Sequence, residues 1–142
     1  MGKSLIYIQN KSLWFHDYHL EPIIFFVIKA LSEKIEKFEI ESDHIEWFKD
    51  YNVELQNLFM GVSDGALDFE FDKLNQNIYR ISLIKSILMT LFSIFNSIDV
   101  NISKKQFDKI DDFFFGNYAN WEEPINSKNL AEKINELISF IS

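Results

Sequence analysis

The sequence predicts a mainly α fold, a single-domain bundle of five to six helices over residues 1–142 with a short N-terminal hairpin or extended segment. Three observations carry this. Only 4 Gly and 2 Pro punctuate 142 residues, too few for the many tight turns of an all-β chain. Hydrophobic residues make up 47% and aromatics 16%, with 15 Phe, enough to bury a sizeable core. Apolar residues recur at spacings of three and four through most of the chain, and no internal repeat or Pro/Gly/Ser linker divides it.

Taken in order, residues 4–19 fit two readings. Leu5-Ile6-Tyr7-Ile8 and Leu13-Trp14-Phe15, separated by Asn10-Lys11-Ser12, suit either a hairpin or a helical lead-in. Pro22 suits a helix N-terminus, so a helix is predicted from Ile23 to about Phe38. Its first half, Ile23-Ile24-Phe25-Phe26-Val27-Ile28, is apolar all round and calls for cover on several sides. Asp43 followed by Glu46 resembles a capping box, placing a second helix from Ser42 or Asp43 toward Gly61, with Ile45, Phe48, Leu55, Leu58 and Phe59 inward.

Asp64-Gly65 signals a turn. Leu67-Asp68-Phe69-Glu70-Phe71-Asp72 alternates apolar with acidic residues, the period of a short strand or extended segment. A long helix is expected from about Lys73 to Ile98. Its apolar part contains Arg80 and Lys85, and its longest uncharged stretch is the 13 residues Ser86 to Ile98. A membrane span needs about 18–20, so a buried central helix is expected. Ser103 caps a further helix, closed at Phe115 by Gly116-Asn117. Ser127 caps the last, with Leu130, Ile134, Leu137, Ile138 and Ile141 on one face.

Charge is the most informative feature. The chain carries a net −8. Residues 36–72 hold eleven carboxylates against two lysines, a net of −9, and the remainder is close to neutral. At 100° per residue, Glu36, Glu39, Asp43, Glu46, Asp50 and Glu54 would fall within an arc of roughly 80°. Like charges at this spacing cost a helix about 0.2–0.5 kcal/mol per pair. A one-sign stripe is therefore expected to serve partner steering, although a merely solvated face is the commoner use of such runs.

Trp47 and Tyr51 border the stripe as aromatic anchors ringed by charge. Asp68, Glu70 and Asp72 extend the acidity. A second aromatic cluster, Phe113-Phe114-Phe115 through Tyr118 and Trp121 to Glu122-Glu123, offers Tyr118 and Trp121 as further contacts. The expected partner-binding set is Glu39, Asp43, Glu46, Trp47, Asp50, Tyr51, Glu54, Asp68, Glu70, Asp72, Tyr118 and Trp121.

Catalytic signals are sparse. With no cysteine, disulfides, thiolate metal sites and a Cys nucleophile are excluded. The four Gly, at 2, 61, 65 and 116, form no phosphate loop, and no Gly-x-Ser-x-Gly marks a nucleophile. His16 and His19 with Asp17 and Glu21 are the only cluster resembling a metal site, and they lack a third distant ligand unless His44 supplies it. The expectation is no enzyme, no cofactor and no metal. Direct nucleic-acid binding is disfavoured by the charge. The short apolar run at the N-terminus suits neither a signal peptide nor a lipid anchor, so a cytoplasmic site is expected.

In size, absence of cysteine, concentrated acidity over residues 36–72 and an Ile/Phe/Asn/Lys-rich composition, the chain resembles the small acidic immunity proteins of bacterial contact-dependent growth inhibition and colicin systems. The resemblance implies an antitoxin-type inhibitor without enzyme activity, acting in the cytoplasm on a basic toxin domain, a nuclease above all. The Asp-x-x-Tyr-Tyr-Pro signature of the small colicin immunity proteins is absent, so no binding residue carries over from them. Two other readings stand beside it: a helical metal-dependent enzyme or module using His16, His19 and His44, and a homo-oligomeric assembly protein.

Overall fold

The computed structural model describes residues 3–59, 68–103 and 123–142. The first of the two readings of residues 4–19 is the one adopted, a hairpin. Strands β1 (Lys3–Ile8) and β2 (Lys11–His16) pair antiparallel, with Lys3 opposite His16 and Ile8 opposite Lys11. This register leaves a two-residue turn, and Gln9 meets it with a φ of 53°. Side chains alternate across the ribbon as the pleat requires: Ser4, Ile6, Ile8 and Phe15 are buried, while Tyr7 and Trp14 face outward. A lone hairpin is marginal in water, and this one is tied down at three points. The Asp72 carboxylate accepts the Gln9 N–H at 2.6 Å, Lys11 Nζ donates to the Phe140 carbonyl at 2.8 Å, and the Ser4 hydroxyl donates to Asp17.

Helix α1 (Asp17–Glu36) continues straight out of β2, so its expected start at Pro22 is corrected. Pro22 lies inside the helix, where it removes one N–H from the backbone ladder. Leu20, Ile23, Ile24, Phe25, Val27 and Ile28 are completely buried, and a buried Leu, Ile or Phe contributes about 1.5–3 kcal/mol, which outweighs one missing hydrogen bond. The helix stops two residues short of the expected Phe38. Phe38 takes a φ of 56°, the Glu39 N–H reaches the Lys34 carbonyl at 2.9 Å and the Phe38 N–H reaches that of Ile35 at 3.3 Å. This is a Schellman ending with phenylalanine where glycine is usual.

Helix α2 (Ser42–Phe59) matches its expectation closely, with Phe48, Tyr51, Leu55 and Phe59 buried. The segment that follows is not a strand. Phe69 and Phe71 both point inward, as period two demands, and stack at 5.2 Å with planes 7° apart. Glu70 between them bends the chain with a φ of 54° into the single-turn helix α3 (Phe71–Leu74).

The long helix expected from Lys73 is broken at residues 75–77 and resumes as α4 (Ile78–Asn96). Asn77 is the reason: its side-chain oxygen accepts the N–H of Tyr79 at 3.0 Å and of Arg80 at 3.3 Å, an N-cap. The prediction of a buried central helix is also corrected. Helix α4 buries only the stripe Ile84, Ile87, Leu88, Leu91 and Phe95 and shows solvent Ser82, Ser86, Met89, Thr90, Ser93 and Ile94. It is the one helix among the described residues long and apolar enough to cross a membrane.

A two-residue ladder joins β3 (Asn101–Ile102) to β4 (Ile125–Asn126). Helix α5 (Ser127–Ile141) then packs along α4, burying Leu130, Ala131, Ile134 and Leu137. Its cap is Asn126, which accepts the Lys128 N–H at 3.0 Å, and not Ser127. Ser127 is buried; its hydroxyl donates to the Ile98 carbonyl at 2.9 Å and accepts the Val100 N–H at 3.1 Å, pinning the end of α4 to the start of α5. The described chain is thus mainly α: four long helices, one single turn and a short hairpin. The expected turn at Asp64-Gly65, the helix from Ser103 to Phe115 and the aromatic loop with Tyr118 and Trp121 fall in residues 60–67 and 104–122, outside the described residues.

Candidate functional site: an acidic cleft between two helices

Helical periodicity is local, and it puts Asp43, Glu46, Asp50 and Glu54 on one face of α2. The first three are exposed and Glu54 is partly covered. Glu46 has Lys49 at 3.2 Å, both well exposed, which contributes little. Neither Asp43 nor Asp50 has a salt bridge among the described residues. Glu39 is not part of this face. It lies in the connection after α1 and lines a different groove, with Glu33, Lys34 and the apolar Phe26, Leu91 and Ile94.

Beside the acidic face is a cleft of about 440 Å³ lined by Trp47, Asp50, Tyr51, Glu54, Lys73 and Gln76. One wall is aromatic. Trp47 stacks on Tyr51 one turn along α2, with centroids 5.3 Å apart and planes 12° apart. Tyr51 is only 2% exposed, and its hydroxyl donates to the Phe69 carbonyl at 2.7 Å. Burial, then the carboxylates of Glu70, Asp68 and Glu54, push its pKa well above the usual phenol value, so it remains a neutral donor. Tyr51 is therefore a core residue that backs Trp47, which corrects its expected role as an exposed anchor.

Trp47 is itself half-buried. The Arg80 guanidinium lies 4.3 Å from its ring centroid, a cation–π contact. Arg80 is held by a hydrogen bond from Nε to His44 Nδ1 at 3.2 Å. His44 in turn stacks on Tyr79 at 4.4 Å, and the Tyr79 hydroxyl accepts the Glu41 N–H at 3.0 Å. The N-termini of α2 and α4 are joined by this relay of His44, Arg80 and Tyr79.

The other wall is ionic. Lys73 Nζ lies 3.0 Å from Glu54 Oε2 and 3.3 Å from Glu70 Oε1. Lys73 thus bridges the two carboxylates, and each shifts the other's protonation. Burial and the neighbouring Glu54 carboxylate raise the Glu70 pKa to about 7. The hydrogen bond from Glu70, then Lys73, holds Glu54 below its usual value. The other acids of this segment are committed to the fold. Burial raises the pKa of Asp68, whose Oδ1 accepts the Phe69 N–H at 2.8 Å, and Asp72 caps the hairpin turn.

Of the expected set, the structure brings together Asp43, Glu46, Trp47, Asp50, Tyr51, Glu54 and Glu70, and places Asp68 and Asp72 at the margin. Tyr118 and Trp121 lie outside the described residues. The sequence reading missed Lys73 and Arg80, the cations that meet the acidic helix. Arg80 stood out only as a charge within an apolar helix, and nothing local paired it with Trp47. No three His, Asp or Glu side chains among the described residues gather as a metal site would require; His16 and His19 meet edge-to-face at 6.3 Å, while His44 is engaged with Arg80 and Tyr79.

The chain matches no protein-family profile, and no curated protein and no solved structure resembles it at a significant level.

Proposed function

We propose that this chain is a binding protein of the immunity or antitoxin type, which neutralises a basic partner by presenting the acidic face of α2. The observation that carries the reading is the row of exposed Asp43, Glu46 and Asp50 beside the half-buried ring of Trp47. Carboxylates left in solvent cost the helix mutual repulsion and gain little within the fold beyond the exposed Glu46–Lys49 pair and the favourable place of Asp43 in the first turn. They accelerate encounter with a positive surface and bias its orientation. A toxin domain acting on nucleic acid has such a surface, because its own substrate is polyanionic. Trp47 supplies the apolar part of the contact, with Arg80 at its ring as a lid a partner would displace or share.

The test is capture from lysate of the native host at low and high salt, with the wild-type chain and with Glu46→Lys/Asp50→Lys as baits. The reading requires a basic protein held by the wild type in a one-to-one complex, weakened by salt and lost with the double reversal. Equal capture by both baits would sink it.

A second reading, self-assembly, rests on a separate observation. Ile78 on α4 is 85% exposed, with Met89 and Ile94 about half exposed further along the helix. Salt-insensitive, concentration-dependent dimerisation in sedimentation would favour it.

A further inference from the structure

Glu70 is an unusual residue for its position. A non-glycine residue at φ 54° is strained by its Cβ, yet this bend carries a long side chain back against α2. There its Oε1 meets Lys73, while its Oε2 is buried and accepts from no donor among the described residues. The neighbouring acid, Glu54, already has Lys73 at 3.0 Å. Two carboxylates and one ammonium leave an excess negative charge in a partly dehydrated seam. A buried acceptor without a donor forfeits its hydration for nothing in return. A proton placed between the two carboxyl groups removes both defects, giving Glu70 an O–H to donate and Glu54 a second partner.

We propose that Glu54 and Glu70 share one proton across the seam between α2 and the 68–74 segment, and that this acid pair is a pH-set latch holding that segment on α2. When the proton is lost, two adjacent carboxylates face each other with only Lys73 between them, and the segment loosens. The groups facing Glu70 are Glu54 and Tyr51 from α2 and Lys73 from α3; Asp68 and Asp72 flank it. The hairpin meets the segment through the Gln9 N–H on Asp72. From α4, Arg80 is engaged with Trp47 and His44 and does not act on Glu70. The latch therefore also governs the Tyr51–Phe69 bond and the hairpin turn.

The direction follows from linkage. The folded-state pKa of Glu70 stands at about 7, above its ordinary 4.5, so its stabilisation is lost as pH rises through 7. Glu54, held below its ordinary value, acts in the opposite sense as pH falls below 4.5, so the pair stabilises most near pH 4.5. The latch uses none of Asp43, Glu46 and Asp50, so it stands or falls independently of any partner.

Carboxyl-carbon NMR of the wild-type chain reads the titration directly. The Glu70 carboxyl is expected to titrate near pH 7, and Glu54→Gln is expected to lower that midpoint. Amide exchange at residues 69–74, corrected for intrinsic chemistry, should open on the order of tenfold more readily at pH 8 than at pH 5, after discounting for solvent screening. Glu70→Gln, which keeps the shape and a donor, should abolish that difference. A Glu70 midpoint near 4.5, or equal pH dependence of exchange in Glu70→Gln, overturns the latch.

Discussion

The guanidinium of Arg80, at the start of α4, lies 4.3 Å from the ring centroid of Trp47 on α2. Residues 33 positions apart thus couple a cation to the aromatic edge of an otherwise acidic face. The contact covers Trp47 and locks the N-termini of two helices, since Arg80 also donates to His44. Arg80→Ala is expected to destabilise the fold by about 1–2 kcal/mol, from a cation–π contact of 0.5–1 and one hydrogen bond. Hydroxyl-radical footprinting should show Trp47 oxidised faster in the variant; unchanged protection would mean that Arg80 is not its cover.

The acidic face is predicted to be dispensable for folding. Glu46→Lys/Asp50→Lys turns the repulsions of Asp43 with position 46 and of Glu54 with position 50 into attractions. Positions 46 and 50 still repel one another and the exposed ion pair with Lys49 becomes a repulsion, so the changes nearly cancel. The urea midpoint should stay within about 0.5 kcal/mol of wild type or rise. A large loss of stability would show that these carboxylates are structural, and would deprive the capture experiment of its meaning.

Phe38 ends α1 in a left-handed conformation with its ring 84% exposed. Little burial is lost on removing it. Phe38→Gly should stabilise the protein by about 0.5–1 kcal/mol, the relief of the left-handed strain less the extra entropy of glycine when unfolded. Phe38→Ala, which keeps a Cβ, should show no such gain in the same unfolding titration.

Two small polar residues join α4 to its surroundings. Asn77→Ala removes an acceptor for two helix N-terminal amides and should cost about 1 kcal/mol. Ser127→Ala leaves the Val100 N–H without its partner in a part-buried position and the Ile98 carbonyl without its donor, and should cost about 1–2 kcal/mol. Chemical denaturation checks both; Ser127→Ala as the milder of the two would contradict the buried bridge.

His19 adds a pH dependence opposite in sign to that of Glu70. Burial, then Lys133 and His16, lower its pKa, with Glu136 opposing. A base depressed in the folded state stabilises fully above its unfolded value near 6.5 and loses that contribution as pH falls below it. In a Glu70→Gln background, where the opposing titration is absent, the unfolding midpoint should drop between pH 7 and 5. Adding His19→Gln should flatten that slope.

Several features were legible because they are local. The α2 helix, its buried Phe48, Leu55 and Phe59, and the alignment of Asp43, Glu46, Asp50 and Glu54 all follow from a 3.6-residue repeat. The misreadings have equally physical causes. Pro22 looked like a helix start because its cost is intrinsic, while the burial that offsets it comes from the rest of the bundle. Asn77 was hidden in a stretch that keeps its apolar spacing, so the cap showed only through its hydrogen bonds. The Ser-rich face of α4 reads as apolar in the sequence, yet it lies in solvent.

Composition and local spacing alone make the chain mainly helical, concentrate its net charge between residues 36 and 72, and align carboxylates along one helix face, of which the break between α1 and α2 leaves four together. Those properties depend on composition and on neighbours three or four residues apart. Tertiary structure alone decided which of these acids stay in solvent and which meet a cation. Lys73 reaches Glu54 across 19 residues and Arg80 reaches His44 across 36, separations at which sequence periodicity carries no information. It also decided the role of Tyr51, because a ring beside a charged stripe becomes core or anchor according to what packs over it, and here the turn around Phe69 does.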